Sequence, residues 1–136
     1  YSASGAPAQE GYEQVDFETL LTQSDIISVH APLNEHTEGL INSKAFEKMK
    51  SSCIFLNLGR GPIVDEQALY NALVRNQIAA AGLDVLCEEP MSADNPLLKI
   101  KDSKRLLITP HIAWASVEAR THLMEIIHGQ VKDFFA

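Results

Sequence analysis

Four places in the chain set a charged or titratable side chain at the end of an apolar run. Arg60 lies between Gly59 and Gly61, directly after "CIFLNL". Asp84 sits inside "AGLDVL", which leads into "CEEP" with Glu88 and Glu89. His111 follows Pro110 at the end of "RLLITPH", and His30 precedes Ala31 and Pro32 at the end of "DIISVHAP". A guanidinium holds a carboxylate through two parallel hydrogen bonds. Flanking glycines let the backbone turn tightly and leave such an arginine room to reach into a cleft. A carboxylate beside a histidine keeps one ring nitrogen as a donor and favours the imidazolium, which suits proton delivery. Glu89 is the candidate partner of His111, and Pro90 restricts where it sits. Asp84, in an apolar run, is expected to be buried and so to need a partner, either backbone N–H groups or a ligand amide.

Each residue also has a plain reading. Arg60 could be tied to a neighbouring carboxylate, His111 could fill a loop, and Glu89 could be solvated. His30 could cap the sheet edge, and Trp114 suits a core as well as a pocket wall. His36 falls in a polar loop and His122 and His128 in a helix, where no chemistry is expected of them. Gly59-x-Gly61 is not a dinucleotide fingerprint, because the third glycine would fall at Val64.

The elements that must position these residues alternate. "DIISVHAP", "CIFLNLG", "IAAAGLDVL" and "RLLITPH" read as strands, nearly continuous apolar runs of the kind found when helices cover both faces of a sheet. Between and around them, "VDFETLLTQS", "SKAFEKMK" and "DEQALYNALVRNQ" read as helices, the last with Asp65 as N-cap. "SVEARTHLMEIIHGQVKDFFA" is the longest helix, capped by Ser116, with Leu123, Ile127, Val131 and Phe134 along one face. Strands alternating with helices at this spacing predict an α/β domain with a doubly wound parallel sheet. The segment from Glu88 to Lys104 is long enough to hold a small helix of its own, and the N-terminal "YSASGAPAQEGYEQ" is expected to be loosely held. In open α/β sheets ligands bind outside the carboxyl ends of the strands, and the residues singled out above all follow strands.

The bulk numbers agree with one compact domain. The chain has 136 residues, 46% of them hydrophobic and 21% charged, enough for a core. A net charge of −7 argues against a general nucleic-acid surface, which needs a basic stripe. No apolar run approaches the roughly 20 residues of a membrane span, so no membrane partner is expected. Cys53 and Cys87 form no CxxC pair and no metal-ligand cluster. They read as buried free thiols in a reducing, cytoplasmic setting.

Taken together, "NLGRGPIVDEQAL", "AGLDVLCEEP", "NPLL" and "ITPHIAWAS" resemble the D-isomer-specific 2-hydroxyacid dehydrogenases. The resemblance runs from about Ser24 to Ala119, and "HIAWAS" is most similar to the glycerate dehydrogenase or hydroxypyruvate reductase branch. It implies hydride transfer between NAD(P)H and a small 2-keto acid, with Arg60, Glu89 and His111 as catalytic residues. Arg60 would hold the keto acid, His111 would donate the proton, and Glu89 would orient His111. Asp84 would bond the nicotinamide carboxamide. The cofactor would further be lined by His30, Ala31, Pro32 and Thr37, by Leu58, Gly59 and Arg60, and by His111, Ala113 and Trp114.

The resemblance also implies what residues 1–136 lack. They correspond to the second half of a Rossmann-like NAD(P)-binding domain, without the G-x-G-x-x-G half and without the substrate domain. The fragment alone is expected to be inactive, and the full-length protein to be a homodimer. Ser2 stands near the place where the family carries a ribose-binding Asp, which leaves NADP open beside NAD. Some nucleotide-sensing corepressors resemble the same family, so a binding protein on this fold is the alternative.

Overall fold

A computed structural model describes residues 1–8 and 10–135. Helix α1 (Phe17–Gln23) precedes strand β1 (Ile26–Val29), and helix α2 (Ser43–Lys48) leads to strand β2 (Ile54–Asn57). A 3-10 turn at Gly61–Ile63 and helix α3 (Glu66–Val74) lead to strand β3 (Ala80–Leu83). The long connection carries a 3-10 turn of its own at Pro96–Lys99, then come strand β4 (Leu106–Ile108) and helix α4 (Val117–Phe134). The four strands form one parallel sheet in the order β1-β2-β3-β4.

Helix starts follow from side chains that satisfy the free N–H groups of a first turn. Asp16 accepts from Thr19, Asn42 from Lys44 and Ala45, Asp65 from Ala68 and Ser116 from Ala119. Asp65 and Ser116 are the caps expected from sequence. Helix α1 packs on α2, α2 on α3, and α3 on the 96–99 turn, so one layer covers one face of the sheet. Ile27, Val29, Phe55, Ala81 and Leu83 point into it, and Phe46 of α2 meets Phe55 edge-on at 5.4 Å between ring centroids. Burial of a side chain of that size contributes about 1.5–3 kcal/mol.

The parallel sheet is the one expected, and the placement of Cys87 is not. Helices cover one face of the sheet within this chain, while alternate strand residues on the other face, Ile26, Ile54 and Leu107, are exposed. The apolar face of α4 is formed but unburied: Leu123, Ile127, Val131 and Phe134 are all exposed, and the helix has no buried residue. The expectation that this helix reaches Ala136 falls on a residue outside the described ones, as does the reading of Gln9 in the N-terminal stretch. Cys53 is buried, whereas Cys87 is exposed, because it lies past the end of β3 in the turn toward Glu89. Its thiol still turns inward, 3.7 Å from the Val64 carbonyl oxygen. The N-terminal residues hold local contacts, with the Ala6 N–H on Ser2 Oγ and the Tyr1 ring 5.0 Å from Phe17. No helix of the described residues is long and apolar enough to cross a membrane.

Candidate active site

Parallel register brings the strand ends to one edge. Val29 pairs with Asn57, Asn57 with Leu83, and Leu83 with Ile108. The residues that follow, His30, Leu58, Asp84 and Thr109, therefore leave the sheet side by side.

The turn after β2 is built around Asn57, which is 1% exposed. Its Oδ1 accepts the Gly59 N–H at 3.1 Å, and its Nδ2 donates to the Arg60 carbonyl at 3.0 Å. A buried amide must spend its donors and acceptors on protein, and here they shape the turn that carries Arg60. A Cβ at Gly59 would crowd the turn, lying 3.0 Å from the Ala31 carbonyl oxygen. The Arg60 guanidinium bonds only the Gly59 carbonyl, at 2.8 Å, and makes no ion pair among the described residues. The reading of Arg60 as the partner of a loop carboxylate has no counterpart among the described residues, where most of its five donors hold no protein acceptor.

Asp84 is 4% exposed and organises the turn after β4. Its Oδ1 accepts from the Thr109 hydroxyl and from the Ile112 N–H at 3.0 Å, and its Oδ2 from the Ala113 N–H at 2.8 Å. Burial, the largest single influence, pushes this carboxyl up, but the Thr109, Ala113 and Ile112 hydrogen bonds and the nearby His111 together outweigh it and hold it below the usual range. Of its two expected partner types, backbone N–H groups are the ones observed.

His111 adopts φ = 54°, a left-handed conformation uncommon for residues other than glycine. Its N–H lies on the carbonyls of Asp84 and Thr109, and its own carbonyl accepts the Trp114 indole N–H at 2.8 Å. Trp114 is thus neither core nor simple wall: exposed, it pins the backbone of the histidine. The Glu89–Pro90 bond is cis. Glu89 Oε2 lies 2.8 Å from His111 Nδ1, and Oε1 accepts the Leu86 N–H at 2.8 Å. The Leu86 bond first, and then the His111 bond, hold the Glu89 carboxyl below its ordinary range. An ionised Glu89 can only accept, so Nδ1 carries hydrogen toward it, and Nε2 is the nitrogen left for other work. A cavity of about 620 Å³ opens beside this pair, lined by apolar residues such as Leu97, Ile100 and Leu106.

The turn after β1 is set differently. His30 Nε2 pairs with Ser28 Oγ at 2.8 Å. Thr37 is 1% exposed and knots its own loop, its hydroxyl donating to the Pro32 carbonyl at 2.7 Å and accepting the Asn34 N–H at 2.9 Å. The Leu58 N–H is spent on the Val29 carbonyl. His30, Ala31 and Pro32 line a second cavity, of about 580 Å³, together with Ser2 and Ser4. Neither Asn57 nor Thr109 was assigned a role from the sequence. The signal for Asn57 was present, as a polar residue inside "CIFLNL".

Three comparisons bear on this edge. The family model described as "D-isomer specific 2-hydroxyacid dehydrogenase, NAD binding domain" matches residues 1–113, starting earlier than the resemblance noted in the sequence. The hydroxypyruvate reductase of Blautia hydrogenotrophica is 45% identical over 98% of this chain and 41% of its own length. The glycerate dehydrogenase of Methylorubrum extorquens is 44% identical over 90% of this chain and 38% of its own. Among solved structures, an acyclic imino acid reductase in complex with NADPH and D-Arg superposes with a TM-score of 0.84 at 36% identity, over 97% of this chain and 41% of that one. The chain thus spans about two fifths of the length of these relatives.

Proposed function

This chain belongs to the D-isomer specific 2-hydroxyacid dehydrogenases, through their NAD binding domain, and from that premise we propose that the full-length protein reduces a small 2-keto acid to the D-2-hydroxy acid with NADH or NADPH. The observation that carries the reading is the Glu89–His111 pair at 2.8 Å, on the strand edge where the Arg60 guanidinium pairs with no carboxylate among the described residues.

The edge suits a nicotinamide cofactor. Asp84 Oδ2 accepts one hydrogen bond, from Ala113, and a carboxylate oxygen accepts two, so a carboxamide N–H can be the second. Leu58, Gly59 and Ala113, with the turn formed by His30, Ala31, Pro32 and Thr37, would line the rest, and Trp114 would hold the histidine turn that closes it. The bound cofactor would supply the hydride. Arg60 would grip the carboxylate of the keto acid and polarise its carbonyl oxygen. His111 would deliver its proton from Nε2 to that oxygen and recover it in the oxidative direction. Glu89 would fix the ring through Nδ1 and balance the imidazolium charge.

Hydroxypyruvate, giving D-glycerate, is the substrate favoured by the names of the two curated relatives. Those names also favour catalysis over nucleotide sensing. Ser2, at the cavity of the β1 turn, would face the adenosine ribose, where its lack of charge would tolerate the 2′-phosphate of NADP as well as the hydroxyl of NAD. Residues 1–136 would then be the catalytic half of the cofactor domain, with the G-x-G-x-x-G half and the substrate domain supplied elsewhere in a homodimeric, cytoplasmic protein. The free thiols suit a reducing compartment.

The test is oxidation of NADH and NADPH by the full-length protein with hydroxypyruvate, glyoxylate, pyruvate and oxaloacetate. Turnover with any of them supports the reading and ranks the substrates. Tight NADH binding without turnover on any would sink it.

A further inference from the structure

Glu66 is the first residue of α3, yet its side chain does not cap that helix, a task carried out by Asp65. Its Oε1 accepts the Cys87 N–H at 2.8 Å, and its Oε2 accepts Asn95 Nδ2 at 2.7 Å. Asn95 is buried, and its Oδ1 is committed to the Leu97 N–H at 2.9 Å, so its amide cannot flip without losing that bond. One carboxylate therefore ties the start of α3 to both sides of the segment that carries Glu89. A second restraint comes from Gly61, next to Arg60, where a Cβ would overlap the Leu86 carbonyl group and the Cys87 nitrogen. The Leu86 N–H, on the peptide group just before, is the one that holds Glu89 Oε1. The turn bearing Arg60 and the loop bearing Glu89 are thus pressed together at Gly61 and bolted at Glu66. Cys87 takes no chemical part here: burial, and then the charge of Glu66, push its thiol up to about 11, far from a reactive thiolate.

We propose that Glu66 is a positioning residue for the reaction, setting the Glu89–His111 pair relative to Arg60 through its paired hold on the Cys87 N–H and Asn95. The proposal rests on the dehydrogenase reading above. Its chemistry dictates the variants. Glu66→Gln keeps one acceptor and turns the other into a donor facing Asn95 Nδ2. Asn95→Asp alone sets two carboxylates face to face. The double variant Glu66→Gln/Asn95→Asp restores one donor and one acceptor at that contact, and still offers an oxygen to the Leu97 N–H.

The experiment measures kcat, NADH affinity and Tm in the full-length protein for these three variants, with Asp65→Ala as a helix-cap control. Glu66→Gln is expected to lower kcat by about 10- to 100-fold, the scale of a displacement of order 1 Å at a reacting group, with NADH affinity unchanged. The double variant should recover most of that loss, while Asp65→Ala should lower Tm and leave kcat unchanged. Wild-type kcat in folded Glu66→Gln would overturn the proposal. So would a double variant that regains Tm without regaining kcat. A second readout is independent of turnover: the downfield proton resonance of the Nδ1–H between His111 and Glu89 should change in Glu66→Gln and return in the double variant. If the wild type reduces no keto acid, the dehydrogenase reading fails, and this resonance alone decides on Glu66, with no change in Glu66→Gln overturning it.

Discussion

The strand-end edge and helix α4 are opposites in how their side chains are used. At the edge, Asn57, Asp84 and Glu89 each hold two or three backbone or side-chain partners, and the backbone turns exist because those polar groups are satisfied. Helix α4 has a well-formed cap at Ser116 and an apolar stripe, yet none of its residues is buried. Local rules are enough to make a helix, since caps and hydrogen bonds are internal to it. They are not enough to make a site, which needs groups distant in sequence at fixed separation. The edge gains that separation from strand register, and α4 has no register to borrow.

This contrast can be broken, and the largest effect should fall on the edge. His111→Ala in the full-length protein should cost about 10²- to 10⁴-fold in keto-acid reduction, with NADH binding nearly intact by fluorescence titration. Turnover close to wild type would remove His111 from the chemistry. Arg60→Lys should cost roughly 10- to 100-fold in kcat/KM, the equivalent of a lost charge-assisted hydrogen bond worth about 1.5–3 kcal/mol, because lysine cannot supply the fork. A change in KM alone would recast the arginine as a binding group with no part in polarising the carbonyl.

Asp84→Asn tests whether the edge is held by its carboxylates. An amide sets a donor against one of the Thr109, Ile112 or Ala113 donors, a loss of about 1–3 kcal/mol in urea unfolding. The pH dependence has a fixed sign. Asp84 and Glu89 are held below their ordinary values, so the stability that they lend is present above those values and is lost as pH falls through the depressed ones. The gap between wild type and Asp84→Asn should therefore be full near neutrality and shrink below about pH 4. A gap that grows on acidification would reverse the assignment.

The smallest effect belongs to α4. In the 136-residue chain, Leu123→Ser should change stability by less than about 0.5 kcal/mol, whereas Leu69→Ala in the core should cost about 2–5 kcal/mol. A comparable loss at both positions would mean that α4 packs against this domain after all.

The alternation of strands and helices was legible because apolar runs and caps are local signals, and Asp65 and Ser116 cap the helices that their positions announce. Arg60, Glu89 and His111 could be singled out because each follows a strand, and strand ends are where a parallel sheet presents ligands. The exposure of Cys87 was misread, because an apolar run of residues does not reveal where its strand stops. The apolar strands announce two faces to be covered, and the described residues cover one of them, since an apolar residue announces a need for burial but not what will meet it.

By itself the sequence determined which residue types are present, where helices begin, and that four apolar strands would pair in parallel. Only the tertiary structure decided that Glu89 reaches Nδ1 of His111, that His111 takes a left-handed backbone held by Asp84, Thr109 and Trp114, and that Glu66 bolts the two loops together. The reason is physical. Caps and periodicity act over a few residues, but a hydrogen bond of 2.8 Å between Glu89 and His111, 22 positions apart, requires the register of a whole sheet to place both ends.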